Sequence, residues 1–431
     1  MVDALLIIFW GIVLLTVIIV VHEWGHFIAA RLFGVRVTEF AIGLPGPSIG
    51  HVTKKGTRIA LTAIPLGGYN RIAGMGSLDY DIRHLARAYA YLCKYGTLRT
   101  DELPNDADRL DFDLVESLEI LKDWGTIVCT RAKDGSRADI YLAKAMGEHE
   151  SGTPREVDDA VSFIESEHAQ TYDARPFWKR ECILLAGSLF NLLFFFIVVI
   201  ALMMALGGYE AGTTFESVVE GSPAAEAGFV QGDTLVAVDG TDIGTWEEFT
   251  QAMSEAAPGD EMLVTVDHEG TPVTHTVVLG ANDTNGAYLG VSVGYVHRQY
   301  GFVEAVELCG YYTSLVFGVM VSLFNPFEFQ QTIQNCSSVV GVSYVAKDAA
   351  SSGIGQFLLL CAEVSLSVGL FNLLPILPLD GGKIVIEVYQ RVSRKVASIR
   401  FQNWYTALGM AFFLFIFMVT VFQDVNTFMI G

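Results

Sequence analysis

Two histidines and a glutamate stand close together near the start of the chain, in the run HEWGH that places His22, Glu23 and His26 within five residues. On a helix, positions four apart share a face, so both imidazoles can reach one Zn2+. Glu23 then flanks the water that completes the coordination, where a carboxylate can take the water's proton and later deliver it to a leaving amine. The chemistry this pattern spells is amide hydrolysis. A chance grouping is the competing reading, and burying three ionisable groups in an apolar helix is costly unless a ligand satisfies them.

Two imidazoles make half a tetrahedron, so a third protein ligand has to come from elsewhere. Asp380 is the candidate, in NLLPILPLDGG at residues 372–382. Pro375 and Pro378 break the helix before it, and Gly381 and Gly382 allow close backbone approach, so the carboxylate can be turned inward. Taken alone, the same letters read equally well as a helix end followed by an Asp-Gly turn.

The elements that must position these residues are membrane spans. Of 431 residues, 52% are hydrophobic and only 17% charged, an excess that points to a bilayer. Four runs reach the length of about 20 apolar residues that a crossing helix needs: residues 5–27, 183–206, 357–377 and 404–422. A fifth, 306–324, is interrupted by Gly310, Tyr311, Tyr312 and Ser314, and is expected to lie along the interface. The first run lacks a basic leading region and continues into HEWGH, so it reads as a retained span.

Arg31 and Arg36 follow span one, Arg175, Lys179 and Arg180 precede span two, Lys383 follows span three, and Arg391, Arg394, Lys395 and Arg400 precede span four. These ends are expected on the cytoplasmic side, with both termini outward. His22, His26 and Asp380 then fall at the same membrane side, which favours the ligand reading of Asp380. The net charge of −21 excludes nucleic acid as the expected partner. The six cysteines, at 93, 129, 182, 309, 336 and 361, lack the spacing of a zinc knuckle or disulfide framework.

The fold expected is a polytopic α-helical membrane protein with about four transmembrane helices, membrane-associated β-hairpins, an extracytoplasmic α+β domain and a cytoplasmic α+β insert. Its divisions are span one at 1–35, hairpins at 36–76, the insert at 77–175 and span two at 176–208. The outer domain follows at 209–300, an amphipathic helical region at 301–353, span three at 354–390 and span four at 391–431. Within the insert, helices near 82–95 and 114–124 precede two strands, IVCTRA and ADIYLA, turned at Asp134 and Gly135. This order resembles a winged helix. Its acidity suits a protein-interaction module facing an unknown cytoplasmic partner better than a DNA reader.

HEWGH, PLGGY at 65–69, a PDZ-like segment VVEGSPAAEAGFVQGDTLVAVDG and the late NLLPILPLDGG together resemble the bacterial site-2 proteases, of the regulator of sigma-E protease type. The resemblance implies zinc held by His22, His26 and Asp380, with Glu23 as base and Asn372 holding the substrate backbone. It implies regulated intramembrane proteolysis of a single-span, anti-sigma-factor-like substrate within the lipid of the bacterial cytoplasmic (inner) membrane. In the PDZ domain, Tyr288, Leu289, Gly290 and Val291 resemble the loop that receives a peptide carboxylate; such a domain either grasps a tail or excludes folded bulky domains from the site below. The chain departs from the family in four places: Ser188 follows Ala186 and Gly187 where Pro is usual, with Asn191 retained; Asn70 and Arg71 replace Val-Lys; a Gly-Pro usual before span three is missing around Val340 and Gly341; and the insert is long. A non-catalytic adaptor and a metal transporter are the competing functions; the first has no use for Glu23, and the second needs more polar residues along the spans.

Overall fold

A computed structural model describes residues 2–427 apart from 65, 66, 77–79, 105, 108, 109, 133–137, 147, 148, 283–285 and 335. Two compact units emerge, one of residues 1–199 and 308–431 and the other of residues 200–307.

In the first unit, α1 (Val2–Leu32) is apolar almost throughout and carries HEWGH in its last third. Four strands follow, β1 (Val37–Ile42), β2 (Ser48–Val52), β3 (Arg58–Thr62) and β4 (Gly68–Ile72). They form one sheet in the order β2-β3-β1-β4, with β1 parallel to β3 and antiparallel to β4. Of the expected hairpins only β2–β3 is one. Alternation of apolar and polar residues reveals strands without revealing which edges pair, and the connection from β1 through β2 to β3 makes a mixed sheet. Pro65 and Leu66 of PLGGY lie outside the described residues.

The insert runs α2 (Ile82–Tyr95), β5 (Thr97–Arg99), α3 (Leu114–Asp123), β6 (Val128–Arg131), β7 (Asp139–Leu142) and α4 (Ala160–His168). Asp81 and Asp113 accept the first free amides of α2 and α3, and Gly96 ends α2 at φ 72°, a conformation that costs a glycine little. Its strands pair antiparallel in the order β5-β7-β6 over a core that includes Leu85, Tyr89, Leu118, Leu121, Trp124 and Tyr141. The expected turn at Asp134 and Gly135 lies outside the described residues. Arg36 fastens this core beside the sheet through two bonds to Glu167, at 2.6 and 2.9 Å, and Gly74 donates to Asp123 at 3.1 Å. The long apolar α5 (Phe177–Leu206) follows.

The second unit is α+β. It comprises β8 (Gly208–Val218), α6 (Pro223–Ala227), β9 (Thr234–Val238), β10 (Thr241–Asp242), α7 (Trp246–Glu255), β11 (Glu261–His268), β12 (Thr271–Val278), β13 (Gly280–Ala281), β14 (Ala287–Tyr288) and β15 (Val291–Arg298). Its main sheet reads β12-β11-β9-β8-β15, and Phe215, Leu235, Phe249, Val264 and Val266 fill the core. Thr245 and Glu248 close a reciprocal cap on α7.

Back in the first unit come α8 (Phe302–Ser322), whose first residues belong to the second unit, α9 (Phe329–Gln334), α10 (Val339–Ser352), α11 (Ile354–Phe371), α12 (Asp380–Ser393) and α13 (Ile399–Val425). Five of the described helices, α1, α5, α8, α11 and α13, are long and apolar enough to cross a membrane, against the four runs expected; α8 is the least apolar of them. Trp10 packs edge-on to Phe357 in the first parts of α1 and α11, and His22, further along α1, meets Asp380 beyond the end of α11, so these two helices run the same way. α5 runs oppositely, since Gly187 abuts His22 and His26 while Phe194, further along, packs by Leu14 and Ile18. Asp424 at the end of α13 accepts the Ser338 and Gly341 amides at 2.6 and 3.1 Å, fixing the start of α10.

Candidate metal centre

The helical spacing of HEWGH turns both imidazoles to one side of α1, where they meet the first residue of α12. His22 Nε2 and His26 Nε2 lie 3.1 and 3.0 Å from Asp380 Oδ2, and 3.2 Å from one another. All three residues are under 10% exposed: 9%, 6% and 5%. The chain stops α11 at Phe371 and restarts as α12 at Asp380, which projects the carboxylate from a helix start. Gly381 and Gly382 permit this, because a Cβ on either would stand 2.3–2.4 Å from backbone atoms of Leu373 or Leu377.

The protons decide what these atoms can hold. His26 Nδ1 lies 2.7 Å from the Ile183 carbonyl, which can only accept, so the ring proton sits there and Nε2 keeps its lone pair. Two imidazole nitrogens and a carboxylate oxygen converge as a triangle of atoms able to act as donors to a cation. A tetrahedral zinc with ligands at about 2.0–2.2 Å spreads them to about 3.3–3.5 Å. The three residues therefore fit zinc after an opening of a few tenths of an ångström.

Neighbouring groups hold the ligands to that task. Lys383, one turn beyond Asp380, bonds its other oxygen, Oδ1, at 3.0 Å and leaves Oδ2 to the centre. Asn191, fully buried on α5, places its amide 3.4 Å from His22 Nδ1, while its Oδ1 has no partner. A metal-bound His22 carries its proton on Nδ1; turning the amide over supplies an acceptor and removes the orphan. Gly187 lets α5 press onto the centre, since a Cβ there would stand 2.4 Å from His26 Nε2 and 2.7 Å from His22 Nε2.

Glu23 shares a cavity of about 330 Å³ with the three candidate ligands, Asn70 and Asn372. Its Oε2 accepts from Asn70 Nδ2 at 2.8 Å. Asn372 caps α11; its side-chain amide donates to the Val368 carbonyl at 3.0 Å. Tyr288, Leu289, Gly290 and Val291 belong to the second unit, where Leu289 is buried and the carbonyls of Leu289 and Gly290 accept from Ala224 and Val219. In the sequence, Lys383 served only as a sign of sidedness and Asn70, Gly187 and Asn191 only as letters matching or departing from a pattern. The three-residue spacing of Asp380 and Lys383 is the one signal that pointed to a contact.

A family model described as peptidase family M50 matches residues 10–416. The chain belongs to peptidase family M50. Among the relatives of this M50 peptidase, the zinc metalloprotease RasP of Shouchella clausii is 25% identical over 432 residues, covering 96% of this chain and 97% of the relative. The probable protease eep of Enterococcus faecalis is 26% identical over 446 residues, covering 97% and 98%. Two solved PDZ domains of SdrC-like proteins are also similar. That from Listeria monocytogenes is 20% identical, with a TM-score of 0.18 and coverage of 19% of this chain and 87% of its own. That from Listeria innocua is 22% identical, with a TM-score of 0.19 and coverage of 21% and 99%. The M50 peptidase is thus an intramembrane zinc metalloprotease, and its cofactor is the ion that the donor set fits.

Proposed function

We propose that His22, His26 and Asp380 hold the zinc, that Glu23 is the general base, and that the substrate is a single-span membrane protein of the anti-sigma-factor kind. The observation that carries this is the meeting of three buried lone-pair donors with Glu23 on one cavity. When bound, zinc supplies the Lewis acidity that makes a water able to attack near neutral pH. Glu23 takes the proton from that water and passes it to the leaving nitrogen as the C–N bond breaks. Lys383 keeps Asp380 directed at the ion.

A peptide bond inside a helix is shielded by its own hydrogen bonds, so the substrate has to unwind before attack. The edge strand β4, which borders the cavity through Tyr69, Asn70 and Ile72, offers a template for the extended chain, and Asn372 a second hold on its backbone. Proline at the β4 edge slows cleavage without releasing zinc on this reading; unchanged rates remove it.

The basic residues at the helix ends support a reading with the insert and the metal centre at the cytoplasmic face and both termini and the PDZ domain of 209–300 outside. The common direction of α1 and α11 supports four crossings. A complete crossing by α8 requires a return before α11, and α10, with 14 residues and about 21 Å of length, is too short for a core of about 30 Å. The insert is read as a winged-helix module for a cytoplasmic protein partner, supported by its β5-β7-β6 sheet around α2 and α3.

The deciding experiment compares Glu23→Gln with wild type on single-span reporters in membranes, with zinc content measured in both. Lost cleavage with zinc retained is the expected result. Equal processing by the two proteins overturns the assignment and favours a non-catalytic adaptor.

A further inference from the structure

Glu23 is the last turn but two of a long apolar helix, and a carboxylate there swings freely unless something holds it. Asn70 on β4 does so at two points: its Nδ2 donates to the Glu23 carbonyl at 2.5 Å and to Glu23 Oε2 at 2.8 Å. Both partners only accept, so the amide can face them one way round, with NH2 toward Glu23 and Oδ1 away. Oδ1 is buried without a partner, so no competing bond draws the amide off. The side chain lines the catalytic cavity, and its strand is one of the two edges of the sheet. Gly68, two residues earlier on β4, lies 3.6 Å from Glu23 Cγ by the position a Cβ would take, so the strand itself rests against the base.

We propose that Asn70 is the positioning residue for Glu23, tying the base to edge strand β4 so that a chain laid along that strand is in register with the carboxylate. The inference rests on Glu23 acting as the base. Two hydrogen bonds from one amide, the first anchoring Asn70 to the Glu23 backbone and the second holding the carboxylate, restrain the rotamer more than a single contact would. Misplacing a base by about 1 Å costs about 100-fold in rate, so the residue acts on turnover rather than on substrate affinity.

The test uses the full-length protein with a single-span reporter, measuring kcat, KM and zinc content for Asn70→Val, Asn70→Asp and Asn70→Gln. Asp has the shape of Asn without the donor, and Gln keeps the carboxamide on a longer stem. Val and Asp are expected to lower kcat by about 10- to 100-fold, with KM within about threefold of wild type and zinc fully retained, while Gln recovers part of the loss. Wild-type kcat in Asn70→Asp means the side chain serves only by its shape, and the proposal fails. It fails equally if KM rises at unchanged kcat, or if zinc is lost. Glu23→Gln run alongside separates the two claims: a fully active Glu23→Gln removes the base itself, whereas an inactive Glu23→Gln beside a fully active Asn70→Asp removes only the role of Asn70.

Discussion

Histidine meets aspartate in two places in this molecule, and the two pairs behave differently. In the second unit His268 Nδ1 lies 2.6 Å from Asp233 Oδ1, closer than either histidine comes to Asp380, yet half of the His268 side chain is exposed. There a proton lies between the partners, water reaches the imidazole but not the buried carboxylate, and the result is an ordinary ion pair whenever the ring is protonated. At the proposed metal centre one proton is committed to the Ile183 carbonyl, three candidate donor atoms converge, and the surrounding helices close over them. Proximity of His and Asp therefore does not make a metal site. What makes one is where the protons go and how tightly neighbouring backbone is packed.

Gly187 tests the packing half of that contrast most severely. Gly187→Ala pushes a methyl group into both imidazoles, and is expected to reduce zinc content at least tenfold and cleavage by about 100-fold or more. Gly310→Ala on α8, where a Cβ meets nothing within 4 Å, should leave both unchanged. Metal analysis of the two purified variants separates them; zinc retained in Gly187→Ala would show that the centre tolerates looser packing than the contacts imply.

The proton half is tested through the groups behind the ligands. Lys383→Met frees Asp380 Oδ1 and lets the carboxylate turn, so zinc should dissociate at concentrations of chelator about 10- to 100-fold lower. Asn191→Leu removes the partner of His22 Nδ1 and should weaken zinc by about tenfold, the lower end of the same range, because the ring is still held by packing. Chelator titration followed by residual metal gives both numbers. If Lys383→Met holds zinc as wild type does, Asp380 is oriented by its helix start alone.

Much of this was legible in the sequence because the bilayer imposes long apolar runs and because HEWGH fixes its own geometry. The ends of α2 and the start of α3 fall where the Asp, Gly and apolar spacing place them, since caps are local chemistry. The order β2-β3-β1-β4 was hidden, for it depends on contacts between strands separated by intervening chain. Helices α8, α9 and α10 fell within one amphipathic stretch, 301–353, and only the caps from Asp424, some 80 residues later, define where α10 begins. Asn70, Lys383 and Gly187 escaped notice as site residues for the same reason: each acts through a neighbour that the sequence does not place beside it.

The smallest expected effect belongs to the half-exposed pair. The hydrogen bond to Asp233 raises the His268 pKa above its ordinary value. A raised folded value means that the pair's stabilisation is fully present below the unfolded pKa of about 6.5 and is lost as pH climbs through the folded one. Asp233 also accepts the Val230 amide at 2.9 Å, so hydrogen exchange at Val230 reports on the loss. After correction for the intrinsic rate, protection in the full-length protein should be modestly higher at pH 6 than at pH 8.5, and the difference should shrink in high salt. His268→Gln should abolish the pH dependence while leaving zinc content untouched. A pH dependence that survives that substitution would mean Asp233 is held by something other than the imidazolium, and the ordinary ion pair would no longer be a fair counterpart to the metal centre.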